Sequence, residues 1–256
     1  MKISNKVALV TGGASGLGEA TVENIIQHGG KAVIIDLSEE KANKLIEKHG
    51  SENVLFVKTN VTSEEEVRHT LDQAVEHFGE FQILVNCAGI GAASKVLNKG
   101  VAHDLGTFQK VIEVNLIGTF NVIRLAVERM SLNEPDEKGE RGVIINTASV
   151  AAFDGQIGQV AYSASKGGLV GMTLPIAREL ARYGIRCMTI APGLFETPLF
   201  AAASDKVREA LGAMVPFPQR LGYPEEYAQL VQGIVENTML NGEVIRLDGA
   251  IRMQPK

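Results

Sequence analysis

Short apolar runs rich in β-branched residues recur along this chain, separated by longer segments with helical spacing of apolar positions. The runs KVALVTG (6–12), KAVIIDL (31–37), VLFVKTN (54–60), ILVNCAG (83–89), GVIINTAS (142–149), IRCMTIAPG (185–193) and EVIRLDGA (243–250) read as strands. They show little polar alternation, which indicates a parallel sheet covered on both faces. Helices are predicted over 17–28, 39–48, 63–78, 107–130, 161–182 and 224–237. The 63–78 segment opens on Thr62-Ser63-Glu64-Glu65-Glu66, with carboxylates on the first turn where the helix dipole favours them. This β-α repetition predicts an α/β fold, a doubly wound parallel sheet of Rossmann type with about seven strands and helices on both faces.

Three segments break the rhythm. Residues 91–106 lengthen the connection after the fourth strand, and the charged stretch 131–142, with Pro135, Gly139 and Gly142, reads as a surface loop. Residues 194–222 are apolar yet bounded by turn residues, and read as a substrate lid within a single domain spanning 1–256. Its Leu194, Leu199, Phe200, Leu211, Met214 and Phe217 offer an apolar lining, with packing at a subunit interface as the alternative.

Composition narrows the function classes. The 256 residues are 45% hydrophobic with a formal charge of −5, so no nucleic-acid partner is expected. Cys87 and Cys187 each lie inside an apolar run and read as buried thiols. No apolar run approaches the ~20 residues that span a bilayer, and the first strand reaches glycine too early for a secretory segment, so a soluble intracellular protein is expected. No metal site is expected.

The chemistry is concentrated at strand ends. VTGGASGLG (10–18) follows the first strand and opens the first helix. Gly12 suits the tight turn, Gly16 and Gly18 let backbone approach a pyrophosphate, and the helix N-terminus supplies N–H groups to phosphate. Asp36 ends the second strand, where a carboxylate accepts ribose hydroxyls and repels a 2′-phosphate. No cation stands near Ala14-Ser15, so the cofactor expected is NAD, the plainer alternative being an Asp that caps the next helix. Ser149 ends the GVIINTAS strand, Asn115 interrupts an apolar helical stretch, and Tyr162 and Lys166 stand one helical turn apart.

Thr11-Gly-Gly-Ala-Ser-Gly-Leu-Gly18, Asn86-Cys-Ala-Gly89, Asn115, Ser149, Tyr162-Ser-Ala-Ser-Lys166 and Pro192-Gly193 resemble, in order, the motifs of the short-chain dehydrogenase/reductase superfamily. The resemblance implies that Tyr162 is the general base in oxidation and the acid in reduction. It implies that Lys166 favours the phenolate and bonds the nicotinamide ribose, and that Ser149 holds the substrate oxygen. Asn115 is implied to bind a water linking Lys166 to solvent. Gly12, Ser15, Leu17, Gly18, Asp36, Asn60, Val61, Cys87, Gly89, Pro192, Phe195 and Thr197 are the implied cofactor contacts, with Tyr162 and Lys166. Asn60 stands where an Asp contacting the adenine amine is common.

The stretches from 133–168, 175–199 and 241–255 look very much like the type 2 3-hydroxyacyl-CoA dehydrogenases, also called the type 10 17β-hydroxysteroid dehydrogenase group. That similarity implies a homotetramer that interconverts (S)-3-hydroxyacyl-CoA and 3-oxoacyl-CoA of short or branched chain. It implies a cytoplasmic location, or the mitochondrial matrix in a eukaryote. Gln156 is expected at the substrate's polar end; Lys95 and Lys99 are candidates for CoA phosphates, against the reading of solvated loop lysines. The alternatives are a hydroxysteroid or other secondary-alcohol dehydrogenase, a 3-oxoacyl carrier-protein reductase, and a non-catalytic scaffold.

Overall fold

The computed structural model describes residues 1–197 and 205–255. Seven parallel strands form one sheet in the order β3-β2-β1-β4-β7-β8-β9. They are β1 (Val7–Thr11), β2 (Lys31–Asp36), β3 (Val54–Lys58), β4 (Ile83–Asn86), β7 (Gly142–Thr147), β8 (Ile185–Pro192) and β9 (Val244–Leu247). The order reverses between β1 and β4, and such a switch point opens a crevice at the carboxyl ends of the strands.

Alternate residues of each strand feed opposite faces. Ala8, Val10, Ala32, Ile34, Ile83 and Val85 join one core with α1 (Gly16–Gln27), α2 (Glu39–His49) and α8 (Pro224–Glu236). Leu9, Val33, Ile35, Leu84 and Ile144 join the other, with α3 (Glu64–Phe78), α5 (Thr119–Met130) and α6 (Val160–Leu180). Both faces are apolar, which is why the strands carry no polar alternation. Helix starts follow local chemistry: Ser63 accepts the Glu66 N–H at 3.3 Å, and Asp104 accepts the Thr107 N–H at 2.7 Å to open α4 (Leu105–Ile112).

Two local features differ from the sequence reading. The 91–106 connection contains a small hairpin, β5 (Leu97–Asn98) and β6 (Val101–Ala102), whose turn residues Lys99 and Gly100 both have positive φ. That geometry matches the right-handed twist of a two-residue hairpin. The helix predicted over 107–130 is broken by a π-helical turn, Glu113–Gly118, between α4 and α5. One extra residue per turn re-aims the side chains there, and Asn115 lies inside it.

In 194–222, α7 (Asp205–Gly212) precedes an irregular stretch. Leu194, Leu211 and Met214 pack with Val215, Leu221 and Ile251 in a separate small cluster, while Phe217 is 83% exposed. Three of the expected lining residues are therefore spent on packing within the segment, and Leu199 and Phe200 lie outside the described residues.

α8 is tied to the sheet by Arg186 of β8. Its buried guanidinium bonds Glu140 at 2.7 Å and the carbonyls of Ile234, Val235 and Leu240 at 2.9, 3.0 and 2.7 Å. These bonds satisfy carbonyls that a helix end leaves without partners. Removing one partner of a buried ion pair costs about 3–5 kcal/mol. Glu140→Ala should therefore lower stability by about 3 kcal/mol, seen as a lower urea midpoint at unchanged slope.

Candidate active site

At the end of β1 the chain turns through Gly12 and Gly16, at φ +65 and +56, into α1. A Cβ on Gly12 would stand 2.9 Å from the Ala88 nitrogen. The turn is pressed against the β4 exit: the Thr11 carbonyl accepts the Cys87 N–H at 3.0 Å, and Thr11 Oγ1 accepts the Ala88 N–H at 3.1 Å. Asp36 Oδ2 accepts the Ala14 N–H of the turn at 3.1 Å, and Oδ1 accepts the Ser38 N–H at 3.0 Å. The helix-entry role weighed for Asp36 is thus real, yet a carboxylate offers about four acceptor sites, so half-buried Asp36 keeps capacity for a ribose. Ser15, before α1, makes no side-chain cap bond, and Leu17 packs partly against the core. A glycine cradle at a helix N-terminus beside a strand-end carboxylate fits a dinucleotide.

Across the crevice, Ser149 leaves the end of β7. Its Oγ accepts the Ala151 N–H at 3.1 Å, capping the 3₁₀ turn Val150–Ala152, and it stands close enough to the Tyr162 phenol to act on its charge. The cap and the tyrosine contact coexist. Tyr162 and Lys166 share the first turns of α6, with the ammonium 5.6 Å from the ring centroid. Lys166 is 4% exposed, and its Nζ donates to the Thr147 carbonyl at 2.7 Å. Burial lowers its pKa to about 8. Burial also raises the Tyr162 phenol, with Ser149 working the other way. The chain's own residues thus hold this phenol above its ordinary value, where the sequence reading expected lysine to lower it. The lysine ammonium donates to the Thr147 carbonyl.

Gly89 forms the floor between the two halves: a Cβ there would be 3.3 Å from Asn115 Oδ1 and 3.5 Å from Lys166 Nζ. Asn115 is wholly buried. Its Oδ1 accepts the Ile90 N–H at 2.8 Å, and its Nδ2 donates to the Ile90 carbonyl at 2.9 Å and to Ser165 Oγ at 3.1 Å. Both side-chain donors are committed to protein, so Asn115 clamps the β4 exit to α6. The acceptors left for the expected water are a remaining lone pair of Oδ1 and one of the backbone carbonyl, which already accepts the Thr119 hydroxyl at 2.8 Å.

Other expected contacts stand in settings the sequence did not announce. Asn60 Oδ1 accepts both the Thr62 N–H at 3.1 Å and its hydroxyl at 2.9 Å, so the oxygen meant for an adenine amine is already used. Val61 is buried against Gly118 of the π turn. Pro192 ends β8. The Phe195 ring is buried over Gly222, with which its backbone forms an isolated β-bridge, while Thr197 is half-buried. Gln156 Nε2 donates to the Gln254 carbonyl at 3.0 Å, yet Gln156 still lines a cleft of about 490 Å³ with Lys95, Leu97, Ile157 and Ser163. Lys99 is not among the residues lining it. Sequence reasoning gave no role to Thr147, Ser165 or Tyr227. Ser165 alone carried a local signal, its place inside the Tyr162–Lys166 stretch.

A family model described as short chain dehydrogenase matches residues 6–208. The chain is similar to the Bos taurus protein named 3-hydroxyacyl-CoA dehydrogenase type-2, with 61% identity over 255 residues, 99% of this chain and 97% of that one. The Homo sapiens protein of the same name is 59% identical over 255 residues, with the same 99% and 97% shares. A crystal structure of 3-hydroxyacyl-CoA dehydrogenase type-2 from Mycobacterium avium matches with a TM-score of 0.95 at 42% identity, covering 98% of each chain.

Proposed function

The chain belongs to the short chain dehydrogenase family, oxidoreductases acting on CH–OH groups, and from that premise we propose that it uses NAD to interconvert (S)-3-hydroxyacyl-CoA and 3-oxoacyl-CoA of short or branched chain. The observation that carries the chemistry is the placing of Ser149 and Tyr162 beside buried Lys166, whose Nζ donates to the Thr147 carbonyl, across Gly89 from the glycine turn. The substrate rests on full-length similarity to enzymes whose names state it. Asp36, bonded to the turn at Ala14, supports NAD, because its carboxylate opposes a 2′-phosphate.

Gly12, Ser15, Leu17, Gly18, Asp36, Val61, Cys87 and Gly89 would hold the adenosine and pyrophosphate, and Lys166, Pro192, Phe195 and Thr197 the nicotinamide end. When bound, the oxidised nicotinamide accepts a hydride from the substrate carbon and brings positive charge into the site. Tyr162 removes the hydroxyl proton in oxidation and returns it in reduction. Ser149 donates to the same substrate oxygen and stabilises its developing charge. The Lys166 ammonium favours the phenolate, and opposite charge in the site opposes the burial that raises the phenol. Asn115 keeps the β4 exit and α6 in register. Residues 194–222 act as the lid, and the cleft at Gln156 receives the acyl portion.

The exposed apolar side chains Ile117, Phe120 and Leu174 support assembly into a homotetramer. No helix among the described residues is long and apolar enough to cross a membrane. The reading includes a cytoplasmic location, or the mitochondrial matrix in a eukaryote.

A second reading, a hydroxysteroid or general secondary-alcohol dehydrogenase, is favoured by the apolar part of the cleft, Val96, Leu97, Ile157 and Val160. An absorbance panel of short 3-hydroxyacyl-CoAs, branched analogues and 17β-hydroxysteroids with NAD and NADP separates the two. We expect kcat/KM for the thioesters to exceed that for steroids by at least about tenfold. Steroid preference would install the second reading, NADP preference would overturn the cofactor, and no turnover of either class would leave a scaffold.

A further inference from the structure

Beneath Lys166 lies a small polar network in which only Cys87 has a part in the proposed function, as a cofactor contact. Tyr227 of α8 is wholly buried, at 0% exposure. Its Oη lies 2.7 Å from Thr147 Oγ1 and 3.6 Å from Cys87 Sγ, and Thr147 Oγ1 lies 3.5 Å from that sulfur. The directions are mutually consistent: the thiol donates to the phenol oxygen, the phenol to the threonine oxygen, and the threonine hydroxyl to the sulfur. Three donors and three acceptors close on one another, which satisfies each group in a dry interior. The members come from α8, the end of β7 and the residue following β4. Burial raises the Cys87 thiol and pushes the Tyr227 phenol well up, so both keep their protons.

We propose that this closed ring is a positioning device for the active site: Tyr227 and Cys87 pin the Thr147 side chain, so that the Thr147 carbonyl holds Lys166 Nζ under Tyr162. The proposal rests on the roles given above to Tyr162 and Lys166. The geometry is economical, because one residue joins the two systems. Thr147 Oγ1 belongs to the ring, while its carbonyl takes the lysine proton at 2.7 Å. Ser149 follows two residues later, so the same pinned strand end also sets the hydroxyl beside Tyr162. The groups facing the Lys166 ammonium are Tyr162 on its own helix, Cys87 after β4, the Asn115 amide beyond Gly89, and the Thr147 carbonyl. Only the last of these accepts a hydrogen bond from it among the described residues. A loosened strand end weakens that bond, disfavours the ammonium and removes support for the phenolate.

Tyr227→Phe in the full chain tests this, because it deletes the hydroxyl and keeps the ring. With NAD and (S)-3-hydroxybutyryl-CoA, kcat should fall about three- to tenfold, with KM and NAD affinity within about twofold. The limb of the kcat–pH profile on which oxidation rises should move to higher pH by about half a unit. A packing role alone lowers the melting temperature and leaves the limb in place; that result, or unchanged kcat, overturns the proposal. Thr147→Val and Thr147→Ser form an independent pair should Tyr227→Phe not fold: valine should move the limb as Tyr227→Phe does, and serine should move it less. Equal behaviour of the two also overturns the proposal. Should the wild-type protein not oxidise the thioester, the substrate reading fails by itself, and the same variants are read on the secondary alcohol that it does oxidise.

Discussion

Replacing Tyr162 by phenylalanine should lower turnover by about a thousandfold or more, since a positioned acid–base group contributes roughly 10²–10⁴. NAD affinity and thermal stability should stay close to those of the wild type. The separation of effects follows from the local contacts. Phenylalanine keeps the half-buried ring and loses only the hydroxyl beside Ser149. Ser149 Oγ still accepts the Ala151 N–H at 3.1 Å, so its rotamer retains an anchor. Lys166 keeps its bond to the Thr147 carbonyl. Absorbance at the reduced-nicotinamide band measures turnover, and fluorescence titration with NADH measures binding. Turnover retained at near wild-type level would remove the mechanism, whatever the substrate.

The same tyrosine sets the sign of the pH dependence. Oxidation needs the phenolate, which exists above the phenol's pKa, and burial raises that pKa. The rate of oxidation should therefore climb with pH, while reduction, which needs the phenol, should decline. Lys166 adds an opposing limb. It carries its charge below about 8 and loses it above, so its support for the phenolate fades at high pH. The two groups face each other across one helical turn, and the observed limbs belong to the pair. In the phenylalanine variant the residual rate should lose this dependence.

How far the chain could be read in advance depends on the range of the forces involved. The strands were legible because each is apolar on both faces: Leu9 and Val10 enter opposite cores, so VALVT reads as one run. The π turn was not legible, because one extra residue scarcely disturbs the apolar stripe from 107 to 130; Asn115 within that stripe was the trace it left. The engaged Asn60 oxygen had a local cue, since an Asn two residues before Thr62 at a helix start invites an Asx turn. Tyr227 had none. Its partner Thr147 is 80 residues away, and a tyrosine on an apolar helix face reads as core. The lid's apolar residues were recognisable as apolar, but Leu211 and Met214 are used by Ile251 and Val215, a choice made by tertiary packing.

Gly18→Ala should cost nucleotide binding far more than the addition of one methyl group implies. A Cβ at Gly18 would lie 2.2 Å from the Gly12 carbonyl oxygen, 2.7 Å from the Gly12 carbonyl carbon and 3.0 Å from the Gly13 Cα. All three are backbone atoms, so no side chain can swing away. Relief requires the helix start and the turn to separate, and the turn is itself held by the Gly12 N–H to Ile35 bond at 2.8 Å and by Ala14 to Asp36 at 3.1 Å. Overpacking of this kind costs about 1–3 kcal/mol, or roughly 5- to 150-fold if it falls on binding. The proposed phosphate N–H groups and the Asp36 carboxylate lie on the two sides of the part that must move. The loss should therefore fall on NADH affinity, read by fluorescence titration, with a smaller fall in melting temperature. Gly171→Ala is the control, because a Cβ there meets nothing within 4 Å and alanine favours a helix interior by about 0.5–1 kcal/mol over glycine. It should bind NADH as the wild type does and melt slightly higher. If Gly18→Ala binds equally well, the glycine turn is not where the pyrophosphate sits, and the cofactor site proposed from it must be redrawn.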